Sequence, residues 1–307
     1  MPECPLSNLL EPTLPGLAGY DLASRFAPLP WPVMILGPTG SGKSVLARAI
    51  HRLSGRAGAL VECALPAIPG SLRHSIVAGH TRGAFTDARD DRMGVIEQAQ
   101  GGTLFLDEIG LATPELQELL LGVLESGWVT RIGDSRRRPV NTRFLFATNT
   151  DLDGLRRSGQ FREDLYWRLG PFTITLPALV QRREEILPLA VALLGESLRE
   201  AGKPWAPAFG EPAAARLAAH NWPGNLRELR GVCQWAAMMV DADRPAEMAD
   251  LPPSLGGPEP PTQRRRGTRD YAIRVALERT QGNVSQAARE LGISRTTVYR
   301  RAGPSGG

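Results

Sequence analysis

The residues best suited to chemistry are Gly37-Pro38-Thr39-Gly40-Ser41-Gly42-Lys43-Ser44, which follow the apolar run Val33–Leu36 and precede the helical stretch VLARAIHRL. A glycine-rich loop between a strand and a helix turns backbone N–H groups toward phosphate oxygens, and the helix N-terminus adds positive potential. Lys43 is placed to reach the β- and γ-phosphates, and the Ser44 hydroxyl to coordinate magnesium. The cofactor-binding set, Gly37 through Val45, is therefore expected to take ATP and Mg2+. The strand and helix flanks make a chance glycine turn a poor alternative. A second run, GGTLFLDEIG at 101–110, ends an apolar strand in two carboxylates. Asp107 there would hold the metal, and Glu108 would orient and deprotonate an attacking water. An Asp-Glu pair is commonplace on a surface helix, but at the end of a buried strand it is costly unless used.

Elements on two sides must position these groups. From Pro32 to Leu176, apolar strand-like runs alternate with helical stretches, which predicts an α/β fold with a parallel sheet covered by helices. The clear strands are Val33–Leu36, Gly102–Leu106 and Arg143–Ala147, the last followed by polar Thr148-Asn149 at the carboxyl end, where such sheets bind ligands. Helical patterns dominate from Arg182 to Val240, interrupted at Pro223-Gly224, and predict an all-helical second domain. The expected boundaries are a lead-in at 1–28, the α/β domain at 29–177, helices at 178–252, a Pro/Gly-rich linker at 253–268 and a terminal unit at 269–303.

That terminal unit resolves into three short helices: Tyr271–Thr280, Ser285–Leu291, and Arg295–Arg301 capped by Ser294. Gly292 turns the chain before the last of them. Helix, glycine-containing turn and Ser/Thr/Arg-rich helix make a helix-turn-helix pattern, with Arg295, Thr296, Thr297 and Arg300 exposed to read double-stranded DNA. Charge agrees. Arg264 to Arg301 carries ten arginines against three acidic residues, a balance of +7 in a chain of net charge +4, so the remainder sums to −3. Arg264-Arg265-Arg266 would add phosphate contacts or form a solvated tail.

With 42% hydrophobic and 22% charged residues, the composition is that of a soluble globular protein. No membrane-span run or signal-peptide core is visible, so a cytoplasmic address is expected. The three cysteines and four histidines are scattered, against disulfides and structural zinc.

The segments GHTRGAFTDA (79–88), GGTLFLDEIG (101–110), FREDLYWRL (161–169) and NWPGNLREL (221–229), with the C-terminal motif, resemble the bacterial enhancer-binding proteins that activate sigma-54 RNA polymerase. The resemblance runs from about Pro32 to Arg301. It implies an AAA+ P-loop ATPase domain, a helical lid and a Fis-like helix-turn-helix, working as a homo-oligomeric ring, usually a hexamer, on DNA upstream of promoters. It further implies that Asn149, with Thr148, is sensor I and that Arg227 is sensor II. Arg162 and Arg168 match arginine fingers that complete the neighbouring subunit's site. Gly83-Ala84-Phe85-Thr86-Asp87-Ala88 corresponds to the GAFTGA loop that contacts sigma-54.

Two departures stand out. Asp87 replaces a glycine of that loop, adding a negative charge at the contact tip. Glycine permits positive φ cheaply there, and Asp is among the less penalised replacements. Glu62 replaces the asparagine that in the family holds the strand-end glutamate, and would repel Glu108 unless one carboxyl is protonated. The leading expectation is an ATP-driven sigma-54 activator. With only a short lead-in before the phosphate loop, its control is expected from a separate protein or from expression level. The alternative is a diverged AAA+ DNA-binding regulator that does not engage sigma-54. A helicase-like remodeller is disfavoured by the loop and the C-terminal motif.

Overall fold

The computed structural model describes residues 18–203 and 205–256. Five strands form the central parallel sheet: β1 (Val33–Leu36), β2 (Leu60–Ala64), β3 (Thr103–Asp107), β4 (Arg143–Thr148) and β5 (Thr173–Thr175). Their order is β2-β3-β4-β1-β5, so sequential strands are neighbours only at β2-β3 and β3-β4, and every connection between these parallel strands is a crossover. The expected β3 and β4 are present, each extended by one residue at its carboxyl end. That extension brings Asp107 and Thr148 into the ladder, with Asp107 opposite Ala64 and Ala147.

Both faces of the sheet are covered, which explains why its inner strands β1, β3 and β4 read as near-continuous apolar runs. Period-two alternation sorts the side chains into two cores. Val33, Ile35, Phe105, Leu145 and Ala147 pack with Leu46, Ala47 and Ile50 of the phosphate-loop helix (Lys43–Leu53). Met34, Leu104, Leu106, Phe144 and Phe146 point the other way, onto Leu116, Leu120, Phe161 and Leu165. A fully buried side chain of this size contributes roughly 1.5–3 kcal/mol, so these two layers fix strand register and hence the depth of the strand-end groups.

The lead-in expected over 1–28 needs correction. A helix, Tyr20–Phe26, packs Ala23 and the following Ala27 into the first core. Arg143, buried at the start of β4, donates to the carbonyls of Phe26 and Ala27 and satisfies the helix end. The seven-residue helix is too short for apolar periodicity to register in the sequence.

The helical second domain is as expected: helices Arg183–Glu200, Glu211–Ala219 and Asn225–Met239, with the break at His220–Gly224. Trp222 fills the break, buried and donating from Nε1 to the Leu217 carbonyl. Two short antiparallel ribbons, Gly79–His80 with Arg92–Met93 and Trp128–Thr130 with Arg137–Pro139, project from the α/β domain. The compact unit holding both domains ends at Leu251, and a second unit begins at Pro252. Of the expected linker only residues 253–256, with the 3-10 turn Pro253–Leu255, fall within the described residues. Arg264-Arg265-Arg266 and the helix-turn-helix with Arg295, Thr296, Thr297 and Arg300 lie outside them. Among the described residues, no helix is long and apolar enough to cross a membrane.

Candidate functional site

The loop after β1 turns sharply into its helix because its glycines adopt backbone that L side chains avoid. Gly40 has φ +76° and Gly42, the helix N-cap, +108°. A side chain at Gly40 would also strike the carbonyl of Gly224, with an ideal Cβ only 2.5 Å from that oxygen. The loop edges a cavity of about 250 Å³ lined by Thr39, Gly40, Gly42, Lys43, Ser44, Val45, Asp107 and Glu108. Arg48, Leu189, Leu193, Leu226, Arg227 and Arg230 complete its wall. Larger cavities of about 440 and 510 Å³, both lined by Trp167, touch none of Lys43, Ser44, Asp107 and Glu108. The smaller cavity brings the phosphate loop and the strand-end carboxylates together.

Lys43 is 7% exposed. Its Nζ donates to the Gly37 and Pro38 carbonyls at 2.9 and 3.3 Å and lies 3.8 Å from Glu108 Oε1. Glu108 adopts left-handed backbone (φ 59°, ψ 53°), a conformation costing a non-glycine residue about 1–3 kcal/mol. Its carboxylate is tied down on the other side. Oε2 accepts from Thr148 Oγ1 at 3.0 Å and from the Asn149 backbone N–H at 3.1 Å. The Asn149 side chain reaches across to donate to Thr39 Oγ1 at 2.8 Å. β3, β4 and the phosphate loop are thus joined at their carboxyl ends by one polar network.

Asp107 sits beside Glu108, accepting the latter's backbone N–H at 3.1 Å. Burial, then the neighbouring Glu108 charge, pushes its carboxyl above the usual range, an effect Lys43 partly offsets. Two crowded carboxylates beside a serine hydroxyl are a hard-oxygen donor set short of positive charge, which suits a magnesium ion carried on a nucleotide's phosphates. The glycine turns and the lysine suit those phosphates. Ser41 plays no such part through its side chain, which is buried with its hydroxyl unpartnered.

The repulsion expected between Glu62 and Glu108 is answered by a residue the sequence reading overlooked. Arg48, one turn beyond Ser44, forms a bidentate pair with Glu62 at 2.7 and 3.0 Å. Glu62 is thereby paired, though its charge still adds the smallest of the pushes on the Asp107 carboxyl, while Glu108 takes its partners from Thr148 and Asn149. The signal for Arg48 was available only as a position on the phosphate-loop helix facing β2, a register that no motif announces.

Arg227 lines the cavity. Arg162 and Arg168 do not. Arg162 pairs with Asp164 at 2.8 Å, and Arg168 Nη2 donates to the Leu124 carbonyl at 3.0 Å, both on an exposed surface bearing Trp167. In the 83–88 loop, Gly83 N–H donates to the Ala88 carbonyl at 2.8 Å and Ala88 N–H to the Phe85 carbonyl at 2.9 Å. Phe85, 36% exposed, rests edge-on against His80 at 5.0 Å. Asp87 is exposed, and its φ is not positive: among the described residues only Glu108, Trp222 and Asn225 are non-glycine residues with positive φ. The backbone freedom of glycine is therefore not needed at 87, and the change there is the added carboxylate side chain. Cys63 and Cys233 are buried and unpaired, and no cluster of three metal-ligating side chains occurs among the described residues.

Comparison with known proteins extends this picture. Residues 17–175 match the sigma-54 interaction domain, 180–268 an AAA+ ATPase lid domain, and 271–301 the Fis family of bacterial regulatory proteins. The hydrogenase transcriptional regulatory protein HoxA of Cupriavidus necator is 38% identical over 94% of this chain and 64% of its own length. The alginate biosynthesis transcriptional regulatory protein AlgB of Pseudomonas syringae is 40% identical over 88% of this chain and 61% of its own. The chain thus spans somewhat under two thirds of these relatives. Among solved structures, NtrX from Brucella abortus in complex with ADP superposes with a TM-score of 0.68 at 31% identity, covering 92% of this chain and 66% of that one. NtrX in complex with ATP gives 0.65 at 32%, covering 92% and 65%.

Proposed function

This chain belongs to the sigma-54 interaction family of AAA+ ATPases, and on that premise we propose that it hydrolyses ATP to activate transcription by sigma-54 RNA polymerase while bound to DNA upstream of promoters. The observation that carries the reading is Glu108, held in left-handed backbone with its carboxylate oriented by Thr148 and Asn149, at a cavity shared by Lys43, Ser44 and Asp107. ATP would supply the phosphoryl group, and a magnesium ion would offset the charge on its oxygens. Lys43 and the N–H groups of the loop hold the phosphates, with Ser44 and Asp107 as metal ligands. Glu108 Oε1, the oxygen left free of the β4 contacts, takes a proton from the attacking water. The relative NtrX, crystallised with ADP and with ATP, supports nucleotide as the ligand.

Arg162 and Arg168 act in trans in this reading, because both sit outside their own chain's cavity on a surface with exposed Trp167. Assembly into a ring, a hexamer by family resemblance, then completes each site. Phe85 and Thr86 contact sigma-54, and the Fis-type segment carries the DNA contacts at Arg295, Thr296, Thr297 and Arg300. The protein works in the cytoplasm. Trapping with a transition-state analogue of ATP hydrolysis tests the reading: a stable complex with sigma-54 is expected, and a chain that hydrolyses ATP yet never forms one refutes it.

One observation favours a second reading, a DNA-binding regulator that does not engage sigma-54. Asp87 places an exposed carboxylate at the loop tip. Asp87→Gly separates the two: if only the glycine variant is trapped with sigma-54, the second reading stands.

A further inference from the structure

A loop that aims its N–H groups at phosphates must point its carbonyls the opposite way, and those carbonyls need donors of their own. Here three in succession are met from the lid. The Thr39 carbonyl accepts from Asn225 Nδ2 at 3.0 Å, that of Gly40 from the Leu226 backbone N–H at 2.9 Å, and that of Ser41 from Arg182 Nη2 at 2.5 Å.

The two side chains involved are specialised for this. Asn225 is 4% exposed and holds left-handed backbone at φ 51°. Both ends of its amide are used, because Oδ1 accepts the Leu179 N–H at 2.7 Å. The partners leave no choice of orientation: a backbone N–H must face the oxygen and a backbone carbonyl the nitrogen. Arg182, also 4% exposed, is itself held by Glu185 at 2.9 Å, whose other oxygen accepts from the Ala18 N–H at 2.7 Å. Absence of a side chain at Gly40 lets Gly224 come close enough to complete the contact. Asn225 thus joins the phosphate loop, the turn Leu179–Gln181 and the lid helix it begins.

We propose that Asn225 and Arg182 are positioning residues for the nucleotide site, docking the lid onto the main chain of the phosphate loop so that lid position and loop shape change together. This rests on the reading of the loop as an ATP site. In it, the lid senses the phosphates through three loop carbonyls as well as through Arg227. A nucleotide that orders the loop orders the lid, and opening the lid loosens the loop's hold on phosphate.

The test uses the full chain, a fluorescent ADP analogue, steady-state ATP hydrolysis and thermal melting. Asn225→Asp keeps the acceptor for Leu179 but sets a carboxylate oxygen against the Thr39 carbonyl. Its expected effect is about 5- to 50-fold weaker ADP-analogue binding. KM should rise in step while kcat stays within about threefold. Arg182→Lys, which retains one donor for the Ser41 carbonyl, should bind within about twofold of the parent, and Arg182→Met should resemble Asn225→Asp. If Asn225→Asp does not fold, Asn225→Gly accepts the same φ and is expected to show the same loss. Unaltered binding by the Asn225 and Arg182→Met variants, with only a lowered melting temperature, overturns the inference and leaves the ATP reading intact. A parent chain that does not bind the analogue overturns both.

Discussion

Arg48 and Glu62 form a charge-compensated pair beside the phosphate site, and breaking it from either side should move nucleotide affinity in opposite directions. Glu62 lies two residues before Ala64, which is in register with Asp107. With a rise of ~3.3 Å per residue and strands ~4.8 Å apart, its Cα is about 8 Å from that of Asp107. Both side chains share the face that packs on the phosphate-loop helix, since Glu62 is opposite Phe105 and Asp107 follows two residues on. The pair is partly exposed, at 21% and 38%, so a high effective dielectric applies. Unit charges at about 8 Å then interact by ~0.5–1 kcal/mol. A magnesium nucleotide of net charge about −2 doubles this, and physiological salt cuts it to about a third, leaving ~0.4–0.8 kcal/mol. Arg48→Met, which leaves the Glu62 carboxylate uncompensated, should weaken binding about two- to fourfold. Glu62→Gln should strengthen it by a similar factor, and the double variant should return close to the parent. Titration of a fluorescent ATP analogue with magnesium at low and high salt measures all four proteins, and the differences should shrink as salt rises. If Glu62→Gln weakens binding, or the double variant stays as weak as Arg48→Met, Arg48 touches the nucleotide directly and charge compensation is the wrong account.

Glu108→Gln should lower phosphate release about 100-fold or more while leaving nucleotide affinity within a few-fold, as measured by a phosphate assay beside the same titration. Retention of a tenth of the activity would remove Glu108 from the proton-accepting role. Arg143→Met should destabilise the chain by ~2–4 kcal/mol in urea melts, because the Phe26 and Ala27 carbonyls lose their buried donor. A loss below about 1 kcal/mol would mean that water replaces the guanidinium. Burial pushes the Cys63 thiol up to about 11 and that of Cys233 higher still. The thiolate therefore appears only as pH rises toward those values, and at pH 8 about one Cys63 in a thousand is ionised. Peptide mapping after brief iodoacetamide treatment of the native protein at pH 8 should find both unmodified.

Much of the site was legible because its chemistry is local. A phosphate loop needs its glycines, lysine and serine contiguous between one strand and one helix, so Gly37–Ser44 announces itself. Asp107-Glu108 does the same, since two carboxylates closing an apolar run violate the expected pattern unless they have work. The lid helices were equally plain from periodicity and from the break at Pro223-Gly224. The Tyr20–Phe26 helix was not, because seven residues with one buried alanine carry too weak a pattern and the helix is held by Arg143, more than a hundred positions away.

What the sequence by itself determined was the composition of the site and the order of its parts: which groups bind phosphate, metal and water, and which domains carry them. Only the tertiary structure decided which charges and carbonyls face one another. Strand order sets Glu62 beside β3, and the pitch of the phosphate-loop helix brings Arg48 to it. The return of the chain at Asn225 brings the lid's donors to the loop's carbonyls. Such pairings depend on residues 14 to 186 positions apart, and hydrogen bonds and ion pairs act only within a few ångströms in space. No local pattern encodes that proximity, so the roles of Arg48, Arg182 and Asn225 emerge only when the sheet and the lid close around them.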